Sequence, residues 1–138
     1  MIRAVFDASA VVSGCGWSAE SYQCLVAVAR RRVRSFATET MIKEWRETIT
    51  ELEAEGTNFR RDPRPTLDWL LGVTHIVDPA PLGKRRSRDP KDDPYLACAL
   101  AARAQFIISR DTDLLDLGKP FGVEIVTPRG FLDRLRAA

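Results

Sequence analysis

The stretch Phe106-Ile107-Ile108-Ser109-Arg110-Asp111-Thr112-Asp113-Leu114-Leu115 decides the fold. It opens on a continuous apolar run, Phe106 to Ser109, and turns abruptly acidic at Asp111 and Asp113. A short run with no polar alternation reads as a strand buried on both faces. Asp111 to Leu117 then reads as a short helical turn. Upstream, Asp92 to Ala104 is rich in Ala and Leu and predicts a helix. Downstream, Val123 to Val126 predicts a strand, and Pro128 opens a final helix, Arg129 to Ala137, with proline at its first position.

The N-terminal half repeats the alternation. Ile2 to Phe6 is an apolar, partly β-branched strand that ends at Asp7. Ser18 is a fitting N-cap for a helix running to Arg32, with Glu20 in its first turn. Val33 to Ala37 is a second strand. Thr38 opens a helix to about Glu55, stopped by Gly56, in which Thr38, Met41, Ile42, Trp45, Ile49 and Leu52 mark the buried stripe. Asn58 to Pro65 reads as a proline-broken loop, Thr66 to Leu71 as a short helix, Thr74 to Val77 as a third strand, and Asp78 to Pro90 as a long connector. Strands and helices alternating in this way predict an α/β fold of three layers, α/β/α, around a central, mainly parallel sheet of four to five short strands.

Composition narrows the class. A chain of 138 residues suits one domain, 1–138, able to bury a core without staples. No apolar run is long enough to span a membrane. The opening Met1-Ile2-Arg3-Ala4-Val5-Phe6-Asp7 is too short and too soon acidic for a signal peptide, so a cytoplasmic protein is expected. Three cysteines without CxxC spacing give no support to zinc or redox chemistry. Cys24 and Cys98 are expected on apolar helical faces; Cys15, between two glycines, is read as a loop residue and receives no role. Of 21 basic residues 17 are arginine, although the net charge is only +2. They cluster at Arg30-Arg31-Arg32 with Arg34, at Arg60-Arg61 with Arg64, and at Lys84-Arg85-Arg86 with Arg88, which permits a polyanionic partner without demanding one.

In a doubly wound sheet, ligands sit beyond the carboxyl ends of the strands. Asp7 follows the first strand, and Asp111 and Asp113 follow the fourth. Asp92 and Asp93 open the Ala/Leu-rich helix, and Glu44 lies just past the second strand. Four segments thus bring carboxylates to one predicted rim. Carboxylates held close repel and raise one another's pKa. A hard divalent cation relieves that, and Mg²⁺ or Mn²⁺ takes such oxygen ligands. Each acid also has a structural reading. Asp92 and Asp93 suit a helix N-terminus, Asp111 and Asp113 suit a cap, and Glu44 suits a surface pair with Lys43 or Arg46. Asp7 is hardest to dismiss, because an acid directly ending a buried strand is costly when unpaired. The lone His75 supports no Ser-His-Asp or Cys-His set, and Ser13-Gly14-Cys15-Gly16-Trp17 fits no phosphate-binding loop. Trp17, Trp45 and Trp69 are read as core or interface residues before base-stacking platforms, with Trp17 the one expected to be exposed near Asp7.

With these residues in view the chain resembles the PIN-domain family, and within it the toxin-type members related to VapC. Five segments in order carry the resemblance: Val5-Phe6-Asp7-Ala8-Ser9-Ala10-Val11-Val12-Ser13, Thr38-Glu39-Thr40-Met41-Ile42-Lys43-Glu44-Trp45, Asp89-Pro90-Lys91-Asp92-Asp93-Pro94-Tyr95-Leu96-Ala97-Cys98-Ala99, Phe106 to Leu115, and Ile125-Val126-Thr127-Pro128-Arg129-Gly130-Phe131-Leu132. The resemblance implies a Mg²⁺- or Mn²⁺-dependent endoribonuclease with Asp7, Glu44, Asp92 and Asp111 as metal-binding, catalytic acids. Asp92 keeps the register after Asp89-Pro90, with Asp93 one position away as the rival ligand. Asp93 and Asp113 become secondary acids, and Ser9 and Ser109 orient carboxylates or water. Arg110 stands where many relatives carry Gly, either contacting phosphate or partly neutralising the site. Arg60, Arg61, Arg85, Arg86 and Arg88 are candidates for the RNA backbone. The same resemblance implies a small cognate antitoxin and a homodimer. Two other classes stay in view. One is a non-catalytic RNA- or protein-binding module on the same fold, which the presence of all four acids argues against. The other is a phosphoryl-transfer enzyme or receiver with an Asp nucleophile. For that class Ser9 stands where a phosphatase wants its second Asp, and Thr127-Pro128 stands where a receiver wants Lys.

Overall fold

A computed structural model describes residues 1–82 and 93–137. Its elements in chain order are β1 (Ile2–Phe6), α1 (Ala8–Gly16), α2 (Ala19–Ala29), β2 (Val33–Ala37), α3 (Glu39–Ala54), α4 (Pro63–Val73), β3 (His75–Ile76), α5 (Asp93–Ala102), β4 (Phe106–Ile108), α6 (Thr112–Leu115), a 3₁₀ turn (Pro120–Gly122), β5 (Glu124–Val126) and α7 (Pro128–Ala137). The five strands form one all-parallel sheet in the order β3-β2-β1-β4-β5, flanked by helices. The chain winds outward from β1 to β3, then returns past β1 to β4 and β5. Right-handed crossovers therefore put α1 to α4 on one face and α5 and α6 on the other. Packing agrees: α1 touches α2, α3 and α4, while α5 lies on β1, β2 and β4. The switch in winding direction falls between β1 and β4. Their carboxyl ends are where an open parallel sheet leaves a crevice.

The core follows the apolar runs. Val5, Phe6, Ile107 and Ile108 are buried in the sheet, Trp45 and Met41 beneath α3, and Phe131 beneath α7, where it meets Phe106 edge to face. Cys15, Cys24 and Cys98 are all buried, and burial pushes each thiol up to about 12, so they stay protonated and inert.

The structure corrects the sequence reading in four places. The segment holding Cys15 is a helix and not a loop, because α1 runs from Ala8 to Gly16. Valines and glycines make it a weak helix former, so packing decides. Gly14 lets α1 approach α2 so closely that an added Cβ would lie 3.1 Å from the Ser21 carbonyl oxygen. The buried hydroxyls of Ser13 and Ser21 join across this contact at 2.8 Å. The helix expected over 66–71 begins earlier, at Pro63, capped by Asp62. Pro63 and Pro65 both fall in the first turn, where the missing N–H groups have no helical partner to lose. The helix from Ser18 stops at Ala29, and Arg31 turns the chain with a φ of 59°. The turn expected over 111–117 contributes helix only from Thr112 to Leu115. The candidates Asp92, Arg85, Arg86 and Arg88 lie outside the described residues.

Candidate active site

Asp7 is the first residue past β1. The ladder carries one step further, with the Asp7 N–H donating to the Ile108 carbonyl at 3.1 Å and the Ser109 N–H to the Val126 carbonyl at 2.9 Å. Asp7 and Ser109 therefore stand side by side on adjacent strand ends. Asp7 is 4% exposed, and both its carboxylate oxygens are engaged. Oδ1 accepts from the Ser9 hydroxyl at 2.7 Å and from the Ala10 N–H at 2.9 Å, which makes Asp7 the N-cap of α1. Oδ2 accepts from the Ser109 hydroxyl.

The two serines also receive hydrogen bonds. Ser109 Oγ accepts from the Asp111 N–H at 2.9 Å, and Ser9 Oγ accepts from the Arg110 N–H at 2.9 Å. Each hydroxyl thus links Asp7 to the loop that carries Asp111. Asp111 is itself the N-cap of α6, its Oδ1 accepting from the Asp113 N–H at 2.9 Å. The second oxygen of Asp111 has no partner among the described residues.

Burial raises the Asp7 carboxyl pKa above the ordinary carboxylate value. The hydrogen bonds from Ser109, Ser9 and Ala10 pull it back, and the nearby Asp111 charge adds to the rise. An anion so placed is costly, and a hard cation would relieve it. Among the described residues no three His, Cys, Asp or Glu side chains gather closely enough to hold a metal ion. Two carboxylates with water and phosphate oxygens suffice for a Mg²⁺-like ion, so the pair fits a divalent cation.

The other candidates sit at differing distances from this pair. Glu44 and Thr48 are one turn apart on α3, on the same helix face. Thr48 lines a groove with Ser9, Val12, Trp17, Leu52 and Arg110, of about 440 Å³. Glu44 is thereby on the α3 face that the groove follows. Asp93 begins α5, and two residues on, the Tyr95 hydroxyl accepts the Ala8 N–H at 3.2 Å. Sequence reasoning missed Tyr95; its only signal was a phenol on the buried face of a helix that opens with acids. It ties the start of α5 to the start of α1.

Arg61, read from sequence as an RNA contact, has another task. Its Nε donates to the Cys15 carbonyl at 3.0 Å and its Nη2 to the Gly14 carbonyl at 2.7 Å, while the guanidinium lies 4.0 Å from the centre of the Tyr22 ring. It closes the C-terminal end of α1. Arg60 is exposed, with its N–H donating to the Gly16 carbonyl at 2.9 Å.

The sequence matches a family model described as "PIN domain" over residues 3–113. Among solved structures, the chain is similar to the "Crystal structure of PAE2754 from Pyrobaculum aerophilum". That likeness has a TM-score of 0.64 at 18% identity and covers 99% of this chain and 91% of that one, which shows a shared fold. A search of curated proteins finds no significant match.

Proposed function

This chain belongs to the PIN-domain family, and from that premise we propose that it is a Mg²⁺- or Mn²⁺-dependent endoribonuclease, the toxin of a type II toxin–antitoxin pair. The family generally consists of nucleases that need metal ions and act on RNA. The observation that carries the reading is the meeting of Asp7 and Asp111 at the β1/β4 switch point, linked through Ser9 and Ser109. In this reading Asp7, Glu44, Asp111 and Asp92 hold the ion, with Asp93 and Asp113 as nearby secondary acids. Bound there, the ion would supply Lewis acidity toward the phosphate and a more acidic water. The chain's own part is orientation. Ser9 and Ser109 fix both oxygens of Asp7, and the α1 and α6 caps fix the two carboxylates toward one rim. Arg110, exposed on the loop between them, is placed for a substrate phosphate.

The test is cleavage of single-stranded RNA by the purified protein with Mg²⁺ or Mn²⁺ against EDTA, for wild type and Asp7→Asn. Loss of cleavage in the variant, with the fold kept, is expected. Wild-type protein that binds RNA but leaves it intact under both ions would put a binding module in its place.

The toxin role, a small antitoxin that fills the acidic groove, a homodimer and a cytoplasmic setting belong to the same proposal. No described helix is long and apolar enough to cross a membrane. Exposed Trp69, Val73 and Ile76 supply apolar surface of the kind a second copy would cover. A short neighbouring reading frame whose product restores growth on co-expression is the expected genetic outcome. Growth arrest that no neighbouring gene relieves would remove the toxin–antitoxin assignment and leave the nuclease.

A further inference from the structure

A partly exposed indole lines the groove that Ser9 shares with the Asp7 site, and such a ring offers one apolar face for contact. Trp17 is 36% exposed and forms one wall of the groove that Ser9 and Arg110 also line. Its position is firmly built. The Trp17 N–H donates to the Ser13 carbonyl at 2.9 Å, ending α1. Phe59 backs the indole, ring centroids 6.0 Å apart, and is not part of the groove wall. Gly16 is required for that backing, since an added Cβ would fall 2.5 Å from Phe59 Cδ1. The Arg60 N–H and the Arg61 guanidinium fasten the segment carrying Phe59 to the last carbonyls of α1. An exposed aromatic held this rigidly is a surface offered to something flat.

A second residue of the groove lining, Arg110, says what kind of flat group. Arg110 is exposed, and among the described residues no carboxylate pairs with it. Its N–H is joined to Ser9, which is joined in turn to Asp7. The groove therefore presents both an aromatic face and an exposed cation unpaired among the described residues, with Ser9 linking it to Asp7. A phosphate beside Arg110 with an unpaired base over Trp17 satisfies both. A duplex cannot, because its bases are already stacked.

We propose that Trp17 is a stacking platform for one unpaired base of single-stranded RNA, in the nucleotide whose phosphate Arg110 holds beside Asp7. This rests on the nuclease reading for its substrate class. The stacking itself can be tested without any cleavage.

Affinities of a labelled single-stranded oligoribonucleotide and of an abasic oligomer of equal length are measured in EDTA, in the Asp7→Asn background, by fluorescence anisotropy. Trp17→Ala is expected to weaken the base-bearing oligomer about tenfold and to leave the abasic one within about twofold, with Trp17→Phe retaining most of the affinity. Equal losses for both oligomers, no loss for either, or no binding of the base-bearing oligomer would overturn the proposal. A groove made for a peptide would give the same affinity for both oligomers and would also overturn it. If wild-type protein leaves RNA intact in both Mg²⁺ and Mn²⁺ while the base-dependent loss at Trp17 persists, the nuclease assignment fails and the stacking stands. If Asp7→Asn stops cleavage and the loss at Trp17 ignores the base, the reverse holds.

Discussion

The two ends of α1 meet opposite charges and serve opposite purposes. At the N-terminus the Asp7 carboxylate accepts the Ala10 N–H; at the C-terminus the Arg61 guanidinium donates to the Gly14 and Cys15 carbonyls. The helix dipole favours both arrangements. Yet Arg61 is exposed and stacked on Tyr22, whereas the Asp7 charge is disfavoured by burial and further by the nearby Asp111. One end stabilises the fold, and the other holds charge that the fold alone would be better without. Under the proposed nuclease function, the N-terminal end of this short helix is where stability is given up for chemistry.

Asp7→Asn breaks this contrast most sharply. Cleavage should fall roughly 10³-fold or more, equivalent to ~4 kcal/mol of lost transition-state stabilisation. The metal-free melting temperature at neutral pH should stay level or rise. A variant that loses activity only because it melts earlier would refute the division of roles.

Metal addition works in the other direction. Mg²⁺ or Mn²⁺ should raise the wild-type melting temperature by mass action and leave that of Asp7→Asn unchanged. An equal rise in both proteins would place the ion elsewhere.

Arg61→Ala should cost about 1–2 kcal/mol of stability through two lost hydrogen bonds and the lost stacking. Activity per folded molecule should persist, as read by urea unfolding beside cleavage assays. A large activity loss with unchanged stability would return Arg61 to the RNA-binding set.

The smallest effect is the dependence on pH. Because the folded Asp7 pKa is raised, its contribution to stability is complete below the unfolded carboxylate value near 3.8. It is lost as pH rises through the folded value. Metal-free wild type should therefore lose stability over that window relative to Asp7→Asn, and divalent ions should cancel the loss on its upper side. Parallel stability curves for the two proteins would contradict the raised pKa.

Where the fold was legible, an apolar-rich stretch and a hard stop coincided. Of the five anticipated strands only β4 is free of polar residues; the others carry Arg3, Arg34 with Ser35, His75 and Glu124, and were read from apolar-rich stretches between stops. Helix α3 was readable because its stripe from Met41 to Leu52 kept helical spacing. Helix α1 was not, because Val11, Val12, Gly14 and Gly16 carry no local preference for helix. Its reason for forming is α2 lying against Gly14, which only the tertiary structure supplies. At the site, Asp7 and Asp111 were legible as acids at strand ends, and the placing of Ser9 and Ser109 beside them was legible from family resemblance. The double attachment of each hydroxyl was not, since Ser9 and Arg110 are a hundred residues apart. A basic cluster records charge and not direction, so the sequence did not show that the Arg61 guanidinium turns back on α1 while Arg60 stays exposed.

The pairing of β1 with β4 has a consequence for synthesis. Asp7 leaves the ribosome early, but its serine-linked counterpart is translated about a hundred residues later. A nascent or prematurely terminated chain that lacks Ile108 to Asp111 lacks both a complete β4 beside β1 and the second acid, so under the proposed nuclease function it should not cleave RNA. The pairing of Asp7 with Asp111 exists only once the last third of the chain has been made and β4 has been added beside β1.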